Sequence, residues 1–553
     1  MIAGEEWGEE SDALESSDDD EDDQDLRHAN DFRRKSDFPW KSVWPPPKCA
    51  TFMAPSRLIE GDAMQWASKM RWKYLPPDVA KHLRKHPPCR DLSFGSMCTG
   101  SGMAEEAISS SESAQESLGH KVRYKHNFVA EIDPKKRKFL HETLSDASTC
   151  GFTNATHCDK ESAPCFRHGA RADPKEEPAA CPLRGASAIF MGSSCKYFSR
   201  ANKDKSHGDP KTLLARAAAG VSSSAGPPHQ SLATYLALMS HARAHKPDII
   251  VLENTDSIAD DPSTGEALQS EHDAAKSNVE QCILDFEEAG YEAQPFLLVS
   301  TDYGVPQKRR RFFVVALRSN SALWTIDDRL GYDAVFNRFL QRAQEVKMAP
   351  PQLSRVLLQD DHPYVKGELQ RRQALPRQPS GVGASWQADA RGFCEKYNLR
   401  WGAVPVPERF QNNAWYQTLS ERDQSILLLL STVHGEGCMV DTSQSLSCAR
   451  LVKAPARASA TMLPNSQWFC DLQDVTRPIL GYEALTALQA FSGRNFPHGT
   501  SDNFLADLAG NAFTGTVIGA IWDCIAQVLP WSRPVCPVGV AASFVTKALI
   551  KKP

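Results

Sequence analysis

The sequence predicts an α/β protein with a doubly wound, mostly parallel sheet and a second, smaller and irregular domain. Between residues 91 and 318, short apolar runs alternate with segments of helical periodicity, as expected of repeated strand–helix–strand units. Between residues 319 and 475 this alternation stops, and Gln, Arg, Pro and Trp become frequent. A chain of 553 residues has room for two or three domains of ordinary size.

The predicted strands are short apolar runs that end in glycine or polar residues. Helices are predicted where apolar residues recur every three or four positions. One helix begins at Glu105, a second covers 231–245, and a third covers 279–286 and is closed by Gly290. Sheets of this kind bind ligands at the carboxyl ends of their strands. The predicted strands cover residues 92–97, 127–133, 187–192, 248–252, 296–300 and 311–317.

The flanking segments differ from this pattern in composition. Residues 1–40 are predicted to be a disordered acidic tail, because like charges repel and few apolar side chains are available for burial. Residues 41–90 form a predicted lead-in segment with a helix at 63–73. Residues 476–553 are expected to complete the first domain, 91–318, with C-terminal helices. These helices are predicted at 482–491 and 511–529.

Net charge does not exclude a nucleic-acid partner. The whole chain carries a formal charge of −5, but an acidic run over residues 5–25 supplies more than this excess. The rest of the chain is net positive, which is compatible with binding to DNA or RNA. The apolar stretch at 426–430 is far too short to span a bilayer, so no membrane partner is expected.

The 15 cysteines form an odd, irregularly spaced set, which argues against a disulfide framework. The N-terminus shows no secretory leader, so the thiols are expected to stay reduced. A zinc site is an alternative for five Cys and His residues, but they lack a paired Cys-x-x-Cys, and the preferred interpretation includes no metal. These five are Cys150, Cys158, Cys165, His168 and Cys181.

Two features at predicted strand ends suit a nucleotide-like ligand. The small residues at 98–102 follow the first strand and allow a backbone to approach such a ligand closely. Glu131 lies at the end of the second strand, where an acidic side chain can accept both ribose hydroxyls. Taken alone, the first feature is equally well explained as a simple tight turn.

Three further features lie at or near predicted strand ends. Cys195 leaves the third strand into a loop, and the neighbouring Lys196 favours a thiolate there. Glu253 and Asn254 follow the fourth strand, so their side chains are expected at the same edge of the sheet. The arginines of segment 303–311 occupy alternate positions and point to one side of a strand. Taken one at a time, these features have simpler explanations: Cys195 as an inert buried thiol, Glu253 as an ordinary carboxylate at a strand end, and segment 303–311 as a solvated basic turn.

Together and in this order, the motifs resemble those of the cytosine-C5 DNA methyltransferase family. The resemblance extends over residues 90–530 and implies a Rossmann-like S-adenosylmethionine-dependent methyltransferase sheet with a smaller irregular target-recognition domain at 319–475. The matching positions are Gly100, Gly102, Glu131, Cys195, Phe198, Ser199, Glu253, Asn254, Gln307, Arg309, Arg311, Arg477, Glu483, Ala484, Leu488, Gln489, Ala490, Phe491, Gly510, Asn511 and Ala512.

The resemblance implies transfer of a methyl group to C5 of cytosine. Cys195 would add to C6 of the ring and make C5 nucleophilic, while Glu253 would protonate or hydrogen-bond N3. Arg311 would hold O2 of the base with Arg309 bracing the site, and Asn254 would position the Cys195 loop. The target base must first leave the stack of a duplex.

S-adenosylmethionine is the implied cofactor. Asp159 is a further expected contact, to its adenine or amino group. The expected cofactor-binding residues are Gly100, Ser101, Gly102, Glu131, Ile132, Asp159, Asn511 and Ala512.

Several positions depart from the family pattern, although every reacting group is present. The departures are Cys98, Ser194, Lys196, Gln230 and Thr255, where the family has Phe, Pro, Gln, Arg and Val.

Double-stranded DNA is the expected substrate, because the long segment 319–475 can read a groove. One alternative is a tRNA methyltransferase of the same fold, whose Cys-Phe-Thr element is replaced here by residues 256–258. Another is a catalytically silent DNA-binding regulator, which Ser194 and Lys196 favour. We expect a monomer, and a nuclear location follows only from the substrate.

Overall fold

The structure, a computed structural model, describes ten segments of the chain. The predicted acidic tail, the first part of the predicted lead-in segment and Ser199 lie outside them. The described segments are residues 63–169, 178–198, 213–218, 229–259, 277–326, 331–376, 385–453, 456–472, 474–491 and 496–532.

A seven-stranded sheet forms the centre of the molecule. The first ten described strands are β1 (Asp91–Met97), β2 (Arg123–Ala130), β3 (Cys150–Phe152), β4 (Ser162–Pro164), β5 (Ala180–Pro182), β6 (Ala188–Gly192), β7 (Ile249–Thr255), β8 (Tyr291–Val299), β9 (Gln307–Lys308) and β10 (Arg310–Arg318). The sheet has the order β3-β2-β1-β6-β7-β10-β8; β10 is antiparallel to both neighbours and the other pairs are parallel. The order reverses between β1 and β6, the position at which such sheets bind ligands.

Helices cover both faces of this sheet. The helices of the described residues, some of which belong to the smaller unit, are α1 (Ala63–Lys73), α2 (Pro77–Lys85), α3 (Met103–Ser117), α4 (Pro134–Thr143), α5 (Leu213–Ala218), α6 (Gln230–His245), α7 (Asn278–Glu288), α8 (Gly331–Glu345), α9 (Pro363–Ala374), α10 (Ser385–Lys396), α11 (Glu408–Gln411), α12 (Ala414–Thr418), α13 (Glu421–His434), α14 (Gly481–Thr486), α15 (Asp502–Asn511) and α16 (Gly515–Val528). Alternate strand residues enter two different cores: Phe190 packs with Trp522 of α16, and Ile189 packs with Leu238 of α6. Burial on both faces explains why these strands are continuous apolar runs. The predicted doubly wound, mostly parallel sheet is therefore confirmed.

Residues 319–475 contain more regular structure than their composition indicates. Helices α8 to α13 precede strands β11 (Met439–Asp441), β12 (Leu451–Val452), β13 (Ser459–Ala460), β14 (Trp468–Leu472) and β15 (Val475–Pro478). Four of these strands form a second, antiparallel sheet in the order β12-β11-β14-β15, and β13 pairs with β9 instead. Phe336 and Phe339 of α8 belong to the core of the larger sheet. The smaller unit, with its own core around Phe410 and Leu427, therefore begins after α8.

Two predicted C-terminal helices end or begin at the wrong residue. The helix predicted at 482–491 ends at Thr486, and Ala490 has a positive φ of 59° that no helix accommodates. The helix predicted at 511–529 begins at Gly515, because Asn511 ends α15 and residues 512–514 form a turn between the two helices.

The segment Asp502–Val528 is long and apolar enough to cross a membrane by composition alone. Its most apolar window is 78% buried inside the protein, as is typical of a core helix. The turn at 512–514 also divides the segment into α15 and α16.

A buried carboxylate joins the lead-in helix α1 to the C-terminal helix α16. Asp523 is fully buried and accepts hydrogen bonds from Arg71 Nε (2.7 Å), Trp72 Nε1 (2.7 Å) and Ser68 Oγ (2.8 Å) of α1. Ser111 Oγ of α3 also donates to it. Arg71 is itself buried, so the two charges depend on each other for compensation.

Replacing Asp523 with alanine should lower the free energy of unfolding by about 3–5 kcal/mol, because the Arg71 charge stays buried without its partner. Urea unfolding of the two proteins measures this difference. Glu142→Ala is the matched control, since Glu142 and Lys138 form an exposed ion pair of about 0–1 kcal/mol at most. Equal losses in the two variants would contradict the role assigned to Asp523.

Candidate active site

The loop after β1 has a backbone conformation that residues other than glycine rarely adopt. Cys98, Gly100 and Gly102 have φ values of 54°, 62° and 81°, all in the left-handed region that glycine tolerates best. The Gly100 amide donates to Glu131 Oε2 at 2.8 Å. The hydroxyl of Ser101 is buried and has no hydrogen-bond partner within the described residues. The loop therefore presents donors without enough partners of its own.

Glu131 follows β2 directly and connects this loop to the next helix. Its second oxygen, Oε1, accepts from the Asp133 amide at 2.9 Å, and Asp133 in turn caps the N-terminus of α4. The carboxylate is buried but keeps unused acceptor positions on both oxygens. The neighbouring Ile132 is 55% exposed. An apolar side chain beside an anchored carboxylate fits the base and ribose of an adenosine.

The remaining predicted cofactor residues approach this loop to different degrees. A Cβ atom on Gly100 would lie 3.8 Å from the backbone oxygen of Asn511, so the turn after α15 faces the glycine loop. The Asn511 side chain turns away and donates to Asp507. Asp159 is exposed, and the residue before it, Cys158, accepts a 2.6 Å hydrogen bond from His241 Nδ1 through its carbonyl.

The Cys195 loop follows β6 and is anchored by polar contacts. Asn254 Nδ2 donates to Ser193 Oγ at 2.7 Å. The Ser194 amide donates to Thr234 Oγ1 of α6 at 3.0 Å. The Tyr197 amide donates at 3.1 Å to the Ser231 hydroxyl of the same helix. Cys195 itself is exposed, so its thiol is open to a substrate while the backbone around it is held.

The end of β7 carries a carboxylate paired with an arginine. Glu253 lies opposite Gly192 in the register of β6 and β7, which brings it beside the start of the Cys195 loop. Arg311 of β10 approaches it, with Nε 3.2 Å from Glu253 Oε1. Both side chains are largely buried: Arg311 is 14% exposed and Glu253 is 11% exposed. The pair thus lies at the edge of the sheet from which Cys195 emerges.

Arg309 links three distant segments. Its guanidinium is buried, and Nη2 donates to the carbonyl of Ala512 at 2.9 Å. Nη1 donates to the carbonyls of Met462 and Gly510, both at 3.3 Å. Burial, helped by the charge of Arg311, lowers the pKa of Arg309 to about 9, while Glu253 and Cys195 oppose the shift. These electrostatic partners place Arg309 in the same region as the reactive groups.

Five residues predicted from the sequence therefore converge at one edge of the sheet, and Glu131 and the glycine loop lie at the adjacent strand ends. The carboxylate and thiol come from neighbouring strands β7 and β6, and the arginines come from β10 and the residue before it. The contacts of Thr234 and Ser231 were not predicted from the sequence, because nothing in their spacing shows that α6 lies against the Cys195 loop. The converging residues are Cys195, Glu253, Asn254, Arg309 and Arg311.

The strand order and the anchored loops define a Rossmann-like α/β fold. A family model described as C-5 cytosine-specific DNA methylase matches residues 187–362, the part of the chain that holds Cys195, Glu253, Asn254, Arg309 and Arg311. This match, together with a curated relative, supports a place for residues 187–362 in the cytosine-C5 methyltransferase family.

One curated relative is the DNA (cytosine-5-)-methyltransferase DMT5 of Cryptococcus neoformans var. grubii, which is 24% identical over 479 residues. That match covers 80% of this chain but only 17% of the relative, which is a far longer protein. Solved structures that resemble the chain include a Spodoptera frugiperda DNMT2 mutant, at 13% identity, a TM-score of 0.37 and coverage of 78% of this chain and 99% of that chain. A prophage-encoded putative DNA modification methyltransferase of E. coli has 11% identity, a TM-score of 0.39 and coverage of 79% and 99%.

A buried carboxyl group lies next to the loop that follows β1. Glu105, in the first turn of α3, accepts from Ser96 Oγ, which also contacts Thr99 Oγ1. Burial raises the pKa of Glu105 to about 7, and the hydrogen bond from Ser96 offsets part of this rise. The protonated carboxyl therefore fits the folded protein better than the carboxylate does.

Because the folded pKa of Glu105 is about 7 and the reference value is 4.5, its stabilising effect is complete below about pH 4.5 and is lost as the pH rises through 7. Glu105→Gln keeps the acceptor oxygen and cannot ionise. Between pH 4.5 and pH 8 the wild type should therefore lose roughly 3 kcal/mol more stability than the variant. Urea unfolding at the two pH values measures the free energy of unfolding of each protein. Equal losses in both proteins would show that ionisation of Glu105 does not destabilise the fold.

Proposed function

We propose that this chain transfers a methyl group from S-adenosylmethionine to C5 of cytosine in DNA, with Cys195 as a covalent nucleophile. The observation that carries the proposal is the convergence of an exposed thiol with a buried Glu253–Arg311 pair at one sheet edge. Asn254 ties the thiol loop to the strand that carries Glu253. A thiol nucleophile, a proton donor and a cationic clamp are the groups that C5 alkylation of a pyrimidine requires.

The chemistry follows from the poor nucleophilicity of C5. Addition of the Cys195 thiolate to C6 breaks the C5–C6 double bond and turns C5 into an enamine carbon. Glu253 delivers or shares a proton at N3, which accepts the electron density displaced by the addition. Arg311 orients the Glu253 carboxyl and can hold O2 of the base. After methylation, loss of the C5 proton and departure of the Cys195 thiolate restore the aromatic ring.

The cofactor suits the first half of the sheet. When bound, S-adenosylmethionine supplies an electrophilic methyl group on a sulfonium. Glu131 offers free acceptor positions for ribose hydroxyls, and the exposed face of Ile132 can pack on the adenine. The buried Ser101 hydroxyl, which has no partner in the described part of the chain, is a candidate donor to the ligand. Asp159 and the carbonyls of the turn after α15 would complete the pocket.

Several observations favour DNA over RNA as the substrate. The unit that follows α8 adds a folded, four-stranded body beside the reactive edge, and β13 pairs with β9 next to Arg309. The curated relative is named a DNA methyltransferase. The base would have to be flipped from the duplex to reach Cys195. A nuclear location and a monomeric state remain part of this proposal.

Covalent trapping tests the nucleophile and the substrate together. Incubation with S-adenosylmethionine and a 5-fluorocytosine duplex should give an adduct that survives denaturing electrophoresis, because fluorine blocks loss of the C5 substituent. Cys195→Ala should abolish the adduct, whereas Cys89→Ala, which changes a thiol outside the site, should preserve it. An adduct on 5-fluorocytosine tRNA alone would contradict the DNA proposal. No adduct on either substrate would favour a silent regulator.

Glu253→Gln should lower the single-turnover rate of methyl transfer by about 10²- to 10⁴-fold, the usual contribution of a positioned acid–base group. Binding of S-adenosylmethionine should be unchanged, because Glu253 lies on β7 and not beside Glu131. Radiolabelled methyl transfer gives the rate, and calorimetry gives the affinity. A rate within a few-fold of the wild type would exclude the role at N3.

A further inference from the structure

We propose that the segment between β3 and β6 binds one Zn²⁺ ion through three thiolates and one imidazole. The thiols of Cys150, Cys165 and Cys181 and the ring of His168 come together outside the site described above. Their potential ligand atoms all lie within 4.8 Å of one another. A Cys₃His set is one of the ordinary ligand sets of structural zinc.

The distances fit a tetrahedral ion. His168 Nδ1 lies 3.5 Å from Cys150 Sγ, 3.6 Å from Cys165 Sγ and 3.8 Å from Cys181 Sγ. With ordinary Zn–S and Zn–N bond lengths, a tetrahedral site separates sulfur from nitrogen by about 3.6 Å. One nitrogen at nearly this distance from three sulfurs is the arrangement that a central ion requires.

The imidazole is oriented with Nδ1 free to act as a ligand. His168 Nε2 lies 2.7 Å from the carbonyl oxygen of Ala147. A carbonyl only accepts, so Nε2 carries the proton and Nδ1 presents its lone pair to the sulfurs. Metal-binding histidines usually use their second nitrogen in this way.

Backbone amides and a cation support the thiolates. Gly151 N donates to Cys165 Sγ at 3.3 Å, and His168 N donates to the same sulfur at 3.5 Å. Such N–H···S contacts stabilise a sulfur that carries negative charge. Arg167 donates to the carbonyls of Asp146 and Thr149, which places a positive charge beside a site whose three thiolates exceed the charge of one Zn²⁺.

The four ligands come from neighbouring short elements at the edge of the main sheet, where Phe152 of β3 already pairs with Cys165. Cys150 begins the edge strand β3, Cys165 follows β4, and Cys181 lies in β5. β4 and β5 form a two-stranded hairpin outside the main sheet. A metal at this position would add a link between the β4–β5 pair and the sheet edge, close to Cys158, whose carbonyl accepts a hydrogen bond from His241 of α6. The inferred role is structural, because all four protein ligands close the coordination sphere.

Metal analysis of the purified chain, expressed with zinc in the medium and dialysed, tests the proposal directly. We expect about one Zn²⁺ per chain, retained through dialysis and released by a thiol-reactive mercurial. Substituting Co²⁺ should give the intense visible absorption of a tetrahedral ion and a thiolate-to-metal charge-transfer band. A chain without bound metal, or one in which two of these cysteines form a disulfide, would overturn the proposal.

Matched variants assign the ion to these residues. His168→Ala and Cys181→Ala should each reduce the zinc content at least about tenfold after dialysis. His168→Cys should retain the metal and strengthen the charge-transfer band of the Co²⁺ form, since four thiolates are also a zinc site. Cys158→Ala is the control, because Cys158 lies in the same segment but outside the cluster. Equal zinc content in His168→Ala and Cys158→Ala would place the ion elsewhere, and His168→Cys covers the case in which an alanine variant does not fold.

Discussion

The geometry of the active site depends on the buried guanidinium of Arg309. A buried charge is costly unless its donors are satisfied, and within the described residues Arg309 has carbonyl partners rather than a carboxylate. Those carbonyls belong to Met462 in the smaller unit and to Gly510 and Ala512 in the C-terminal turn. Arg309 therefore holds the turn in the position that brings Asn511 towards the cofactor loop and the smaller unit towards β10. One side chain thus connects the edge of the main sheet, the C-terminal turn and the smaller unit.

The sheet and most of the active site were predictable because both depend on local pattern. Parallel strands buried on both faces are apolar runs of recognisable length, and the residue after each run necessarily lies at the ligand-binding edge. Cys195 lies three residues beyond the end of β6, and Glu131 follows from this rule. Glu253 and Asn254 do so less directly, since β7 continues through Thr255 and both side chains lie within the strand. Polar residues in a buried strand are compensated here by long-range partners, Arg311 and Ser193.

What the sequence could not show is decided by contacts between distant segments. The helix that begins at Gly481 stops at Thr486, and residues 512–514 separate α15 from α16. Arg309 donates to the carbonyls of Gly510 and Ala512 at this second break. The absence of a side chain at Gly510 also lets Pro464 approach: a Cβ there would lie 2.2 Å from the Pro464 nitrogen. From the sequence, a zinc site is only an alternative for five Cys and His residues, and the preferred interpretation has no metal, because the set lacks a paired Cys-x-x-Cys. Four of the five, Cys150, Cys165, His168 and Cys181, come together only through the packing of β3 against the residues after β4 and in β5.

The departure from the family at Ser194 changes how the nucleophile loop is held rather than whether it is held. Proline at this position restricts φ covalently and has no amide hydrogen. Serine lacks that restriction but has an amide hydrogen, and the Ser194 amide donates to Thr234 Oγ1 of α6. Hydrogen bonds to Ser193 and from Tyr197 flank this contact. The loop is thus restrained at three points, Ser193, Ser194 and Tyr197, by side chains of β7 and α6. Hydrogen bonds are easier to break than a proline ring, so the restraint on this loop depends on how β7 and α6 pack against it rather than on its own covalent structure.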